Sequence, residues 1–174
     1  MKKSAFIFLL TLVWILQTAC SRLPTYEKHI KELDSLKIVL NQAADNFKQI
    51  DSLSCVDYYN QYYAYTQFIN KSSVDTINKI DAENLQVFYK SGNTIKEYLN
   101  IRNVSLQKVK TINSQLINLT RDLKSGAIKS EDAITFINAE NQNAITCITD
   151  LKTNTTITQQ AIDNFSGSHP DFFH

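Results

Sequence analysis

No proline interrupts this chain between Pro24 and Pro170, and the only glycines inside that span are Gly92, Gly126 and Gly167. A many-stranded sheet would need far more turn residues, whereas long helices need few. The residues between the two prolines therefore have to be organised by helical periodicity.

That periodicity is clearest near the C-terminus. Ile134, Ile137, Asn141, Ala144, Ile148, Leu151, Thr155, Thr158, Ile162 and Phe165 step by three and four, as one face of a helix does. Ser130 supplies a start, with Glu131 and Asp132 placed where negative charge suits the helix dipole. The helix should end near Ser166 and Gly167. A second segment steps in the same way through Leu85, Phe88, Gly92, Ile95, Leu99, Arg102, Leu106, Val109, Asn113, Leu116, Thr120 and Leu123. At about 1.5 Å per residue it reaches roughly 60 Å before Ser125 and Gly126 stop it. The link between the two segments is short, so they should form an antiparallel hairpin.

If Leu123 lies level with Glu131, Leu106 meets Ile148 and Val109 meets Ala144 or Ile145. Gly92 then falls beside Ile162, and Asn113 beside Asn141. The two asparagines are polar exceptions in apolar stripes and form a candidate buried polar layer, of the kind that fixes register in coiled coils.

The first segment is less regular. Tyr26, Ile30, Leu33, Leu36, Leu40, Ala43, Phe47 and Ile50 form one face, and a second stripe, Cys55, Tyr58, Tyr62, Tyr65 and Ile69, follows out of phase. Ser54 and Asp57 between them resemble a capping box. The fold class expected is all-α: an elongated, antiparallel, up-down-up bundle of three long helices, or four if the first breaks near Ser52. The bundle should span residues 26–166, followed by a tail at 167–174.

The first twenty residues are of another kind. Lys2 and Lys3 precede an apolar run from Ala5 to Leu16, and Thr18 and Ala19 lead into Cys20. A positive start, a short apolar stretch and small residues at a cut site make a secretory signal. The run is shorter than the roughly 20 residues a spanning helix needs. Gln17-Thr18-Ala19-Cys20 resembles the lipobox of bacterial lipoproteins, in the relaxed form found in the Bacteroides group. The resemblance covers these residues alone. It implies removal of residues 1–19 and acylation of Cys20, with residues 20–25 forming the anchor and a short tether. Ser21 after the cysteine favours the outer membrane under the enterobacterial sorting rule, and the absence after Cys20 of an acidic cluster resembling a surface-export signal favours the periplasmic face. In signal, length and helical layout the chain looks like the small all-helical lipoproteins of unknown function in that group.

Removing residues 1–19 leaves 155 residues and takes Lys2 and Lys3 away, so sixteen basic residues face seventeen acidic ones. Nothing in that balance points to nucleic acid, which requires a concentrated basic patch. His29, His169 and His174 do not recur at ligand spacing, so no metal is expected. The motifs that hold haem, di-iron, phosphate or an activated serine are absent, so no cofactor and no catalytic residues are assigned.

Tyr58, Tyr59, Tyr62, Tyr63 and Tyr65 crowd one stretch, with Phe68 just beyond. They cannot all point inward, and tyrosine suits contact surfaces because it offers area with a polar tip. These five are the candidate surface for a protein or glycan partner. Cys55 and Cys147 should lie about ten residues out of level on their helices, roughly 15 Å, which is too far for a disulfide unless a full break at Ser52 brings them together. Asp34-Ser35-Leu36, Asp51-Ser52-Leu53 and Asp75-Thr76-Ile77 resemble the three-residue O-glycosylation rule of the Bacteroides group, making Ser35, Ser52 and Thr76 candidate sites.

The function expected is that of a non-enzymatic, membrane-anchored lipoprotein serving as an adaptor or partner-binding module. The alternatives are a bundle that holds an apolar ligand, using space at Gly92 and Ala144, and an inhibitor or immunity lipoprotein.

Overall fold

The computed structural model describes residues 26–71 and 79–167, with side chains at 26–69 and 82–167. Four helices make up almost all of this: α1 (Glu27–Gln49), α2 (Ser52–Lys71), α3 (Lys79–Ser125) and α4 (Ser130–Gly167). No strand occurs among the described residues. The first arm of the bundle is thus two helices.

Two residues make the break between α1 and α2. Ile50 leaves the helical region at φ −60° and ψ 120°. Asp51 then caps α2: its Oδ1 accepts the Leu53 amide at 2.9 Å, and its Oδ2 accepts the Ser54 hydroxyl at 2.7 Å. Its carbonyl takes the Cys55 amide at 3.0 Å. The cap therefore sits three residues before the expected Ser54–Asp57 box. A carboxylate with two acceptor oxygens satisfies the first-turn donors better than a serine further on.

At the other corner Gly126 is the turn. Its φ of +67° is the left-handed conformation that suits glycine. The Ala127 amide reaches the Asp122 carbonyl at 3.0 Å and the Gly126 amide reaches Leu123 at 3.4 Å, the paired pattern of a Schellman C-terminus. The Lys129 carbonyl accepts the amides of Asp132 and Ala133 at 3.0 and 3.1 Å. Lys129, not Ser130, is therefore the flanking residue, and Ser130 is already inside α4.

Cross-helix partners fix the topology. Asn41 pairs with Asn113, Ile50 with Tyr98, and Tyr65 with Phe88. The number rises on the first arm as it falls on α3, so the two run antiparallel. Phe88 meets Phe165, and Lys108 meets Asp150, so α3 and α4 are antiparallel as well. Both contacts lie within about one turn of the expected register. The up-down-up order follows.

Leu33, Leu40, Phe47, Phe88, Ile95, Leu116, Ile137, Leu151 and Phe165 form the spine of the core. Helix α3 touches α1, α2 and α4, and so buries a wider face than one stripe. Tyr98, Ile112 and Leu119 are buried beside the expected positions, while Leu85, Leu99, Arg102 and Leu106 are only half-buried. On α4 the inward residue of the first turn is Ala133, and Ile134 is exposed. A strict alternation of three and four drifts against the 3.6-residue turn, and here it leaves the core at its N-terminal end.

Candidate functional site

The five clustered tyrosines do not form one surface. Tyr65 is only 2% exposed, and its ring meets Phe88 edge-on at 5.0 Å. Tyr58 packs on Phe165 at 5.1 Å, and its hydroxyl accepts the Ser166 Oγ–H at 3.2 Å. Tyr62 meets Phe88 at 5.9 Å and donates its hydroxyl to Asn93 at 3.0 Å. Phe88 stacks on Phe165 at 4.7 Å. Tyr58, Tyr62 and Tyr65 thus belong to an aromatic cluster that joins α2, α3 and α4. The physical reason is geometric: these three continue the Cys55 stripe, so the same periodicity that suggested density also turns them inward.

Of the five, Tyr63 alone is strongly exposed, at 55%, with Tyr59 half-buried beside it. Leu53, Val56 and Phe68 are also exposed on α2, Leu53 at 76%. Helix α2 is therefore apolar on two sides. Apart from Asp57 and the terminal Lys71 it carries no charge, unlike α1 with its chain of Lys–Glu and Lys–Asp pairs.

Asn113 and Asn141 do not hydrogen-bond each other. Asn113 Nδ2 donates to Asn41 Oδ1 of α1 at 2.7 Å. The Oδ1 atoms of Asn113 and Asn141, and Oε2 of Glu140, are buried and accept no hydrogen bond from the described residues. The Asn113 amide nitrogen is thus turned towards the first arm.

Gly92 does not accommodate Ile162 as expected. A Cβ placed there would run into the ring of Tyr62. The space that suggested a ligand cavity at this level is filled by that tyrosine. Two grooves lie elsewhere. One of about 470 Å³ runs between α1 and α4, lined by Lys31, Ser35, Leu36, Asn141 and Ile145. Another of about 340 Å³ runs between α3 and α4, beside Val104, Lys108, Cys147 and Asp150.

Cys55 and Cys147 are free and buried. Cys55 feels the charges of Asp51 and Arg102, and Cys147 those of Lys108 and Asp150. Arg102 and Lys108 are six residues apart on α3, about 9 Å, which keeps the thiols in separate neighbourhoods. Burial, then the nearby Asp51 carboxylate, pushes the Cys55 thiol up to about 11. Burial also raises Cys147.

Of the candidate O-glycosylation sites, Ser35 is exposed on the third turn of α1 and donates to the Lys31 carbonyl at 2.8 Å. Ser52 is half-buried at the start of α2. Thr76, Cys20 and residues 1–25 and 168–174 lie outside the described residues. Among the described residues no group of three His, Cys, Asp or Glu could hold a metal ion, and no helix is long and apolar enough to cross a membrane. No family model matches the chain, and no curated protein or solved structure is detectably similar to it.

Proposed function

We propose that this chain is a lipid-anchored, non-enzymatic helical lipoprotein of a bacterial outer membrane, facing the periplasm and acting as an adaptor for a protein partner. The observation that carries the reading is the order of residues 1–20: a positive start, a short apolar run, and small residues before Cys20. The position of α1 supports it. That helix begins at Glu27, and a five-residue link between the anchor and Tyr26 would span at most about 18 Å, which would hold the bundle close to the bilayer. In the up-down-up order the Gly126 corner shares the end of the bundle where α1 begins. The aromatic cluster and the exposed part of α2 lie towards the other end, away from the anchor.

The test is metabolic labelling with an alkyne fatty acid in cells expressing the full chain. Wild type should take up label and fractionate with the outer membrane. Cys20→Ala should lose the label and accumulate as the longer precursor. Labelling that survives Cys20→Ala, or none in wild type, removes the anchor. Crosslinking in the native envelope followed by pull-down addresses the adaptor role, and the absence of any reproducible partner would remove that role alone.

A further inference from the structure

Helix α2 carries two stripes on opposite sides. The inner one, Cys55, Tyr58, Tyr62, Tyr65 and Ile69, faces α3 and α4. The outer one is Leu53, Val56, Asn60, Tyr63 and Gln67, and all five of its residues are exposed. At 100° per residue the two stripes are centred about 160° apart. The outer stripe steps by three, four, three and four. That is the spacing of a coiled-coil seam, with Leu53, Asn60 and Gln67 at the first core position and Val56 and Tyr63 at the second.

We infer that this outer face of α2 is the seam of a parallel homodimer. Three observations favour a second copy of this chain over an unrelated partner. The face is uncharged, so two identical copies meet without repulsion; aromatic enrichment and depletion of charge also mark interface cores. In a parallel two-fold pairing Asn60 faces Asn60 of the partner subunit and Gln67 faces its own copy, and an asparagine at this core position selects two parallel strands and their register. Of the two charges on α2, Asp57 would then lie opposite Ser52 of the partner subunit rather than opposite another carboxylate, and Lys71 ends the helix beyond Gln67. The short stripe fits a weak contact strengthened by local concentration. In that respect it rests on the lipid-anchor reading, which would hold both copies in one leaflet with their bundles pointing the same way.

The test uses the full chain in intact cells. Cys55 and Cys147 are buried, so Asn60→Cys introduces an accessible reporter on the seam and Lys152→Cys introduces one on α4. A short bis-maleimide should give Asn60→Cys a product of twice the chain mass and leave Lys152→Cys monomeric. Adding Tyr63→Glu to Asn60→Cys should cut that product by at least about fivefold, because two carboxylates would face each other across the seam. Tyr63 is exposed, so far-UV circular dichroism should show an unchanged fold. A monomeric Asn60→Cys, equal crosslinking from Lys152→Cys, or a product with a different protein overturns the homodimer. Fatty-acid labelling of the same cells reads the anchor separately. A dimer without label keeps the seam and removes the anchor; label without a dimer removes the seam.

Discussion

The ring of Tyr62 on α2 occupies the place where a side chain at Gly92 of α3 would begin. The Tyr62 hydroxyl, bonded to Asn93 at 3.0 Å, holds the ring there. Glycine inside a 47-residue helix is unfavourable by itself, by about 1 kcal/mol relative to alanine. Its presence is explained by this close approach of α2 to α3.

The consequence is a change of sign between backgrounds. Gly92→Ala alone should lower stability, because an overpacked contact costs about 1–3 kcal/mol and outweighs the gain in helix propensity. In a Tyr62→Ala background the same substitution should raise stability by up to about 1 kcal/mol, since only the propensity gain is left. Urea unfolding of the four proteins measures both effects. Gly92→Ala acting in the same direction in the two backgrounds would show that the contact does not explain the glycine.

A second tyrosine holds the break in the first arm. Tyr98 on α3 donates its hydroxyl to the Ile50 carbonyl at 3.3 Å and accepts the Arg102 Nε–H at 3.1 Å. Its ring packs edge-on against Phe47 at 5.2 Å. The Ile50 carbonyl lies just past the end of α1, where backbone acceptors lack helical partners. Tyr98→Phe keeps the ring and removes both bonds, leaving a buried carbonyl unpaired at a cost of about 1–3 kcal/mol. The urea midpoint should fall while helical content is unchanged, and amide exchange should quicken first around residues 50–55. An unchanged midpoint would mean that water serves Ile50 as well as the tyrosine does.

These contacts mark where sequence reading stops. The Ile137–Phe165 and Phe88–Leu123 stripes were readable because each repeats a single spacing over many turns, and the short link at Gly126 dictated the hairpin. Partners across helices were not readable. A register argument pairs Gly92 and Asn113 with α4, yet Tyr62 of α2 and Asn41 of α1 reach them. Periodicity says which side of α3 is buried; it does not say which neighbour covers each part when one helix touches three. The Tyr58–Tyr65 crowd was visible as density. The same spacing rule sets Tyr58, Tyr62 and Tyr65 on one face and Tyr59 and Tyr63 on another, and the structure turns the first face inward.

The Asp51 cap gives an acid-side prediction. The Ser54 hydroxyl, and then the amides of Leu53 and Ser54, hold its carboxyl below the usual aspartate range. A depressed native pKa contributes stability that is present above the unfolded value of about 3.9 and is lost as pH falls through the native one. Asp51→Ala should therefore melt lower than wild type by a constant margin around neutral pH. That margin should narrow below pH of about 4 as the wild-type carboxyl protonates. A margin that does not change with pH would mean that the protonated Asp51 side chain caps α2 as well as the carboxylate does.

Cys55 gives the opposite prediction on the alkaline side. Its thiol is fully buried, and burial followed by the Asp51 charge raises it from 9.0 to about 11. The folded chain therefore holds this proton more tightly than the unfolded chain. Below pH of about 9 both states keep it and stability is unaffected. Between 9 and 11 the unfolded thiol ionises first, so stability should fall with rising pH, by on the order of 2 kcal/mol across the window. Lysines and tyrosines titrate over the same range, and comparison with Cys55→Ala removes their contribution. The variant should start less stable, because of the cavity, but lose less between pH 8.5 and 10.5. Urea midpoints at those two values give the comparison. Parallel losses in the two proteins would mean that Cys55 ionises no later in the folded chain than in the unfolded one.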